Sequence, residues 1–390
     1  VVYDLANTIF ALGVVGLYLP DWMSENGIAD SYLAVTVAIA GAVVILAAPW
    51  VGARSDHSGQ RMPALVASTL VAISATALLA RGPVWLTFAF LGVALIAVNV
   101  GSVVYDALLP DVSTTYNRGS VSGIGVGIGY VGSFVGLGIG VVTLDILELG
   151  HETTFLWLAA GFLGFALPTF IFVEERTKSP LPGAPPRLAR VVHNLIASWR
   201  RAFGFPSAFR FLMGRFLYTD AINTLIGGFL ALFALEELGL DRAGSRNLIG
   251  IAIVAAIAGG LGGGRLVERY RAKKVLRIAL ILWMVGIAWG VVAALTDDTS
   301  TAWMIGVVGG LALGATWASD RVLMIEVSPP EHLGEFYGLY ATVGRFATIL
   351  GPLVWALMVD VLDLGRVAAM VALGVFVLAG WVVIGTVSDD

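Results

Sequence analysis

The stretches DLANTIFALGVVGLYL (4–19) and DAINTLIGGFLALFAL (220–235) read alike: Asp, two residues, Asn-Thr, then an apolar run. An aspartate and an asparagine three positions apart lie on one face of a helix. The run behind them is what a membrane-crossing helix requires. The same polar turn therefore opens two apolar helices in different halves of the chain. Similar runs recur throughout: 58% of the residues are hydrophobic and only 13% charged, with mean hydropathy +0.89. A soluble chain would carry about 25% charged residues. The composition excludes a large soluble domain and predicts an all-α membrane protein.

Apolar stretches separated by charge, Gly or Pro fall at 3–20, 31–53, 62–81, 84–108, 120–147, 154–174, 209–235, 245–266, 273–296, 301–325, 333–360 and 366–387. Twelve transmembrane helices are expected, as a six-helix bundle over 1–174 and a second over 209–390. The long connector, 175–208, begins Pro-rich and continues with spaced arginines, the pattern of a linker with an amphipathic helix. Most of the 23 lysines and arginines fall on one side of this topology, while the opposite loops, such as DWMSENGIAD and TDDTS, are acidic. That bias predicts both termini in the cytoplasm, with a short segment expected ahead of Val1 and a prokaryotic cytoplasmic membrane as the location.

Two further correspondences fix the internal register. GARSDHSGQR (52–61) after the second stretch matches GRLVERYRAKK (264–274) after the eighth, and YDALLPDVS (from Tyr105) matches SDRVLMIEVS (from Ser319). Three matches in order indicate two homologous six-helix halves. Together with YDLANTIFA (3–11), RGSVSGIGVGIGYVG (118–132) and EFYGLYATVGRFATILGPLVW (335–355), these motifs resemble the major facilitator superfamily, and within it the vacuole-effluxer-like branch. The resemblance implies two pseudosymmetric bundles working as a secondary transporter by alternating access, with an amino acid as a candidate substrate. It also implies that Gly52, Asp56 and Arg61, with Gly264, Glu268 and Arg269 in the second half, form loops that latch one conformation. The chain departs from the pattern at His57, where Arg or Lys is usual. The fifth stretch also lacks a Gly-Pro pair, which appears instead as Gly351-Pro352 in the eleventh.

Charges in the hydrocarbon core cost roughly 2.5–3.5 kcal/mol on insertion scales unless they face a partner or a cavity. Asp4 lies about fifteen residues, or ~22 Å of helix, from the far end of its stretch in a ~30 Å core. Asp4 with Asn7, and Asp220 with Asn223, are candidate cavity-wall residues able to exchange a proton or touch substrate. The alternative is that these acids are struts paired with Arg215, Arg345 or helix ends. Arg345 falls near the middle of the eleventh stretch and suits a substrate carboxylate through a bidentate pair, or else a permanent aspartate partner. A zwitterion would satisfy both signs, with Asn99, Tyr105, Tyr130 and Trp317 as walls. Asp106, Arg215, Asp320 and Arg321 lie towards the cytoplasmic ends and are candidate gate residues.

The four histidines (His57, His151, His193, His332) are read as loop residues without ligand spacing, and the chain has no cysteine. No metal site, cofactor or catalytic constellation is expected, and the GIGVGIG run lies inside a span with no preceding strand, so it is not a nucleotide loop. The expected partners are a small-molecule substrate, protons and the lipid bilayer, with no nucleic acid, and the expected state is a monomer. Efflux of amphipathic drugs or lipids, and a non-transporting receptor or scaffold, stay open as alternatives.

Overall fold

The computed structural model describes residues 2–108, 129, 131–173, 175, 188–296, 299–329 and 333–388. Among them the chain is helical without strands. In order, the elements are α1 (Val2–Glu25), α2 (Asp30–Ser58), α3 (Met62–Ala77), α4 (Val84–Ala107), α5 (Val131–Ile146) and α6 (His151–Phe172). There follow the linker helix α7 (Leu188–Ala202), then α8 (Pro206–Glu236), α9 (Arg242–Tyr270), α10 (Ala272–Thr296) and α11 (Trp303–Val327). The last are α12 (Leu333–Phe346), α13 (Leu350–Ala356) and α14 (Gly365–Gly385).

Nine described stretches are long and apolar enough to cross a membrane, one of them, Phe336–Val361, running through both α12 and α13; α3 and α5 are shorter apolar helices, and α11, which carries the buried Asp320, is outside this set. In hydrocarbon, helices satisfy their backbone polar groups internally, which is why apolar sequence of this length adopts nothing else. The starts are marked by ordinary chemistry. Proline occupies the first turns of α3 and α8, where no amide partner is lost. The Asp241 carboxylate caps α9 by accepting from the Gly244 amide at 2.7 Å.

The chain divides into two compact units, Val1–Trp22 with Ile39–Asn194, and Met23–Ala38 with Leu195–Asp390. In the second, α9 and α11 lie almost in backbone contact. A Cβ on Gly259 would strike the Leu311 carbonyl, and one on Gly314 would strike the Ala256 carbonyl. Glycines spaced four apart on both helices (Gly259 and Gly263, Gly310 and Gly314) clear this groove, the small-residue packing that membrane helices use in place of a hydrophobic drive.

The turn between α1 and α2 belongs to the second unit and is fastened there by its acid. The Asp30 carboxylate is fully buried and accepts from the Trp355 indole at 2.7 Å and from Arg366 Nε and Nη2 at 3.0 Å each. Glu25 pairs with Arg242, the Ser24 hydroxyl donates to Glu236, and the Ser31 amide donates to Asp360. Such a bidentate, desolvated carboxylate is expensive to orphan. Asp30→Ala is expected to lower stability by about 2–3 kcal/mol, the lower end because Arg366 keeps Glu236 and Glu237 nearby. Thermal unfolding in detergent checks this, with Ser31→Ala as the near-neutral comparison.

Candidate functional site

Asp220 and Asn223 sit on α8 against the point where the eleventh expected span breaks. α12 stops at Phe346 and α13 starts at Leu350, so the backbone between them leaves carbonyls and amides without intrahelical partners. The Asn223 amide donates to the Ala347 carbonyl at 2.7 Å and, more loosely, to Gly344 at 3.5 Å. One turn earlier, the Asp220 carboxylate accepts from the Gly351 amide at 2.8 Å. The asparagine therefore closes the carbonyl end of one half-helix and the aspartate caps the amide end of the next. The spacing Asp-x-x-Asn, which puts both on one helix face, is what lets a single straight segment bracket the break. Gly351 permits the approach, since a Cβ there would run into the Thr224 hydroxyl and the Asp220 carbonyl. Pro352 follows without an amide to satisfy. Asp220 is fully buried, and its second oxygen, Oδ1, has no hydrogen-bond partner among the described residues. Arg345 lies in the last turn of α12, half-buried and beside the break, where its carbonyl accepts from the Thr348 hydroxyl at 2.8 Å.

A second cluster joins α8, α11 and α12. Arg215 pairs with Asp320, its guanidinium carbon lies 3.7 Å from the Tyr340 ring centroid and 5.9 Å from that of Trp317, and the Tyr340 hydroxyl donates to Asp320 at 3.0 Å. Arg215, Asp320 and Tyr340 are all buried. Both oxygens of Asp320 are occupied, so this is a matched charge pair tying three helices. Its geometry differs from a pairing of Arg215 with Asp220: Asp320 takes the arginine, and Asp220 takes backbone. Tyr340 is the residue that sequence reading missed. Its only signal is an aromatic five positions before Arg345, indistinguishable there from packing.

In the first unit the repeated motif is used differently. The Asp4 carboxylate accepts from the Tyr105 hydroxyl at 2.7 Å, the Tyr3 hydroxyl is 2.7 Å from that of Thr69, and the Tyr3 and Tyr105 rings are 4.7 Å apart. The Asn7 amide reaches the Ser102 hydroxyl at 3.5 Å, while its carbonyl oxygen is buried without a partner among the described residues. Asn99 turns back to its own helix, donating to the Leu95 carbonyl at 2.8 Å. Gly129 lies against Asp4 and Thr8, so α1 and the start of the fifth span are in contact. Tyr130 and the 120–128 stretch lie outside the described residues, as do the side chains of Asp56 and Asp106.

The expected latch loops are half legible. Gly52 packs with a Cβ position 3.4 Å from Val103, whereas nothing approaches the Cβ position of Gly264. Glu268, Arg269 and Arg321 are exposed, Arg269 lying 5.3 Å from the Tyr270 ring. The acid at the start of α3 is Glu175, whose carboxylate accepts from the Arg61 and Met62 amides at 2.5 and 2.9 Å; a carboxylate there is favoured by the helix dipole. The reading of every histidine as a loop residue needs correction. His57 ends α2, His193 lies within α7, and His151 opens α6, buried and 3.4 Å from Asp21, because short polar turns here are absorbed into helix ends. His332 lies outside the described residues. No metal-ligand cluster occurs among the described residues.

An all-helical chain of apolar spans in two units, with desolvated charges and a broken helix inside, defines a multi-pass membrane transporter of the major facilitator type. The chain belongs to the vacuole effluxer Atg22-like family, whose model matches residues 22–390. It is 25% identical to the uncharacterized MFS-type transporter YxiO of Bacillus subtilis over 100% of this chain and 94% of that one. It is also 25% identical to Autophagy-related protein 22-1 of Aspergillus niger, over 62% of this chain and 42% of the fungal protein. Among solved structures, a bacterial homolog of the human lysosomal transporter Spinster, inward-facing and unoccupied, matches with TM-score 0.74 at 15% identity over 98% of this chain and 94% of that chain. The nucleoside transporter NupG matches with TM-score 0.70 at 13% identity over 100% and 98%.

Both clusters can be weighed by substitution. Asn223→Ala strands the Ala347 carbonyl and is expected to cost about 1–3 kcal/mol. Arg215→Ala is expected to cost about 3–5 kcal/mol, and the double change Arg215→Met with Asp320→Leu to recover most of it, because the pair's desolvation disappears with both charges. Denaturation midpoints of the single and double variants measure the coupling.

Proposed function

We propose that the chain is a proton-coupled secondary transporter for a small zwitterion or carboxylate, an amino acid being the leading candidate, working by alternating access of its two units in a prokaryotic cytoplasmic membrane with both termini inside. The observation that carries this reading is Asp220: a wholly buried carboxylate with one oxygen on the Gly351 amide and the other unpaired among the described residues. Protonation removes the charge that holds the amide end of α13. Gain and loss of a proton at this atom thus changes how firmly the break in the span is clamped, and Arg345, one turn away, is the group that a substrate carboxylate meets. Loading of the substrate and of the proton are thereby linked through one piece of backbone. A proton crossing ~100 mV supplies about 2.3 kcal/mol, enough for roughly fifty-fold accumulation or expulsion of a neutral solute. The Arg215–Asp320–Tyr340 pair is the fixed frame against which the break works.

The test is transport by purified protein in liposomes, with the substrate first chosen by thermal-shift screening over amino acids, other carboxylates, nucleosides and amphipathic drugs. Asp220→Asn is expected to abolish accumulation driven by a pH gradient while sparing solute exchange, and Arg345→Ala to weaken apparent substrate affinity by tenfold or more, a loss of about 1.4 kcal/mol. Gradient-driven transport that survives in Asp220→Asn removes the aspartate from coupling. Stabilisation by drugs alone, with normal transport by Arg345→Ala, replaces the zwitterion with an amphipathic substrate.

A further inference from the structure

The transport reading makes no use of α7. At about 100° per residue, Leu188, Val192, Leu195, Ile196 and Trp199 fall on one side of this helix, and Phe203 continues the line just past its end. Ala197 and Arg201 fall on the opposite side, with His193 and Arg200 on the flank between. One margin of the apolar side meets protein, with Ala202 fully buried, but the other stands open: Leu188 is 43% exposed, Ile196 47% and Phe203 62%. No described element packs broadly against α7, and a helix of this length is marginal in water without an apolar surface to lie on. From Arg187 to Arg210 the sequence holds five arginines and no acid. Arg200, exposed, is one turn on from Ile196 and borders the open margin.

Distance says what covers that margin. α7 ends at Ala202 and α8, a membrane span, begins at Pro206. Four chain steps extend at most ~14 Å, so the end of α7 stays within that distance of the start of the α8 span, the range of the lipid headgroups. An apolar edge flanked by arginines at that depth fits acyl chains below and phosphates beside.

We propose that α7 is an interfacial anchor: its Leu188–Ile196–Phe203 edge inserts among acyl chains, and its arginines take the phosphates of anionic lipid headgroups. The helix joins the two compact units, the division falling between Asn194 and Leu195, so its footing on the bilayer is a point through which lipid composition acts on the linker. None of this depends on which solute is carried.

Because the chain has no cysteine, single spin labels can be placed without background. Ile196→Cys and Ala197→Cys are labelled in the full-length protein and reconstituted in nanodiscs of phosphatidylcholine alone or with phosphatidylglycerol. Collision with oxygen, which partitions into lipid, is compared with collision with a water-soluble nickel chelate. In phosphatidylglycerol discs the label at 196 is expected to favour oxygen and the label at 197 the chelate. In the 196-labelled protein, Arg200→Gln with Arg201→Gln is expected to lower the inserted-to-free ratio in phosphatidylglycerol discs at least about fivefold, the contribution of Arg200 at the headgroups, and to change it little in phosphatidylcholine alone. A label at 196 that favours the chelate, or is shielded from both reagents as in a protein contact, overturns the anchor. Insertion that is equal in both lipids and unmoved by the glutamines overturns the role of the anionic headgroups.

Discussion

Inside hydrocarbon no solvent is present to take up a stray amide, carbonyl or charge, and each must be matched by the protein itself. The break between α12 and α13 is where this constraint bears hardest, since an interrupted helix exposes both kinds of backbone group at once. α8 answers with one carboxylate and one amide, a turn apart, each aimed at the end of the break that it complements. The glycine at 351 and the proline at 352 belong to the same solution: one removes the side chain that would hold the helices apart, the other removes an amide that would otherwise need a partner.

Asp320 and Asp220, two of the buried aspartates of the second unit, show how environment divides labour between like residues. Asp320 is saturated by Arg215 and Tyr340, and the pair reads as a fastening. Asp220 has backbone on one oxygen and, among the described residues, no hydrogen-bond partner on the other. The proposed mechanism assigns the proton to the second and rigidity to the first. On the first unit, the Asp4 carboxylate accepts from the Tyr105 hydroxyl, a side-chain partner from another helix.

Much of this was legible in the residues. Apolar run lengths gave the helical membrane class, because burial in lipid leaves sequence few choices. The repeat of Asp-x-x-Asn marked the right place on α8, but its purpose could not be read, since the groups it serves are backbone atoms some 120 residues away and backbone has no sequence signature. For the same reason Arg215 could be recognised as needing an anion without its partner being chosen among several acids. Nothing in the sequence marks Glu175, at the start of the connector, or Asp30, at the end of an acidic loop, as an acid that accepts from the α3 amides or from Trp355 and Arg366. Only tertiary packing tells a solvated acid from one folded into a cage of donors. Gly351-Pro352, noted as a displaced motif, turns out to mark the restart of a helix.

The central claim is that Asp220 changes protonation while it holds the restarted helix. Infrared difference spectroscopy of the protein in lipid, recorded as substrate is added, reads this directly through the carboxylic acid C=O stretch. The account predicts a band in that region that appears or disappears with substrate, shifts in heavy water, and is missing from Asp220→Asn. A spectrum in which substrate binds with no carboxylic acid band, or with one that survives unchanged in Asp220→Asn, would contradict it.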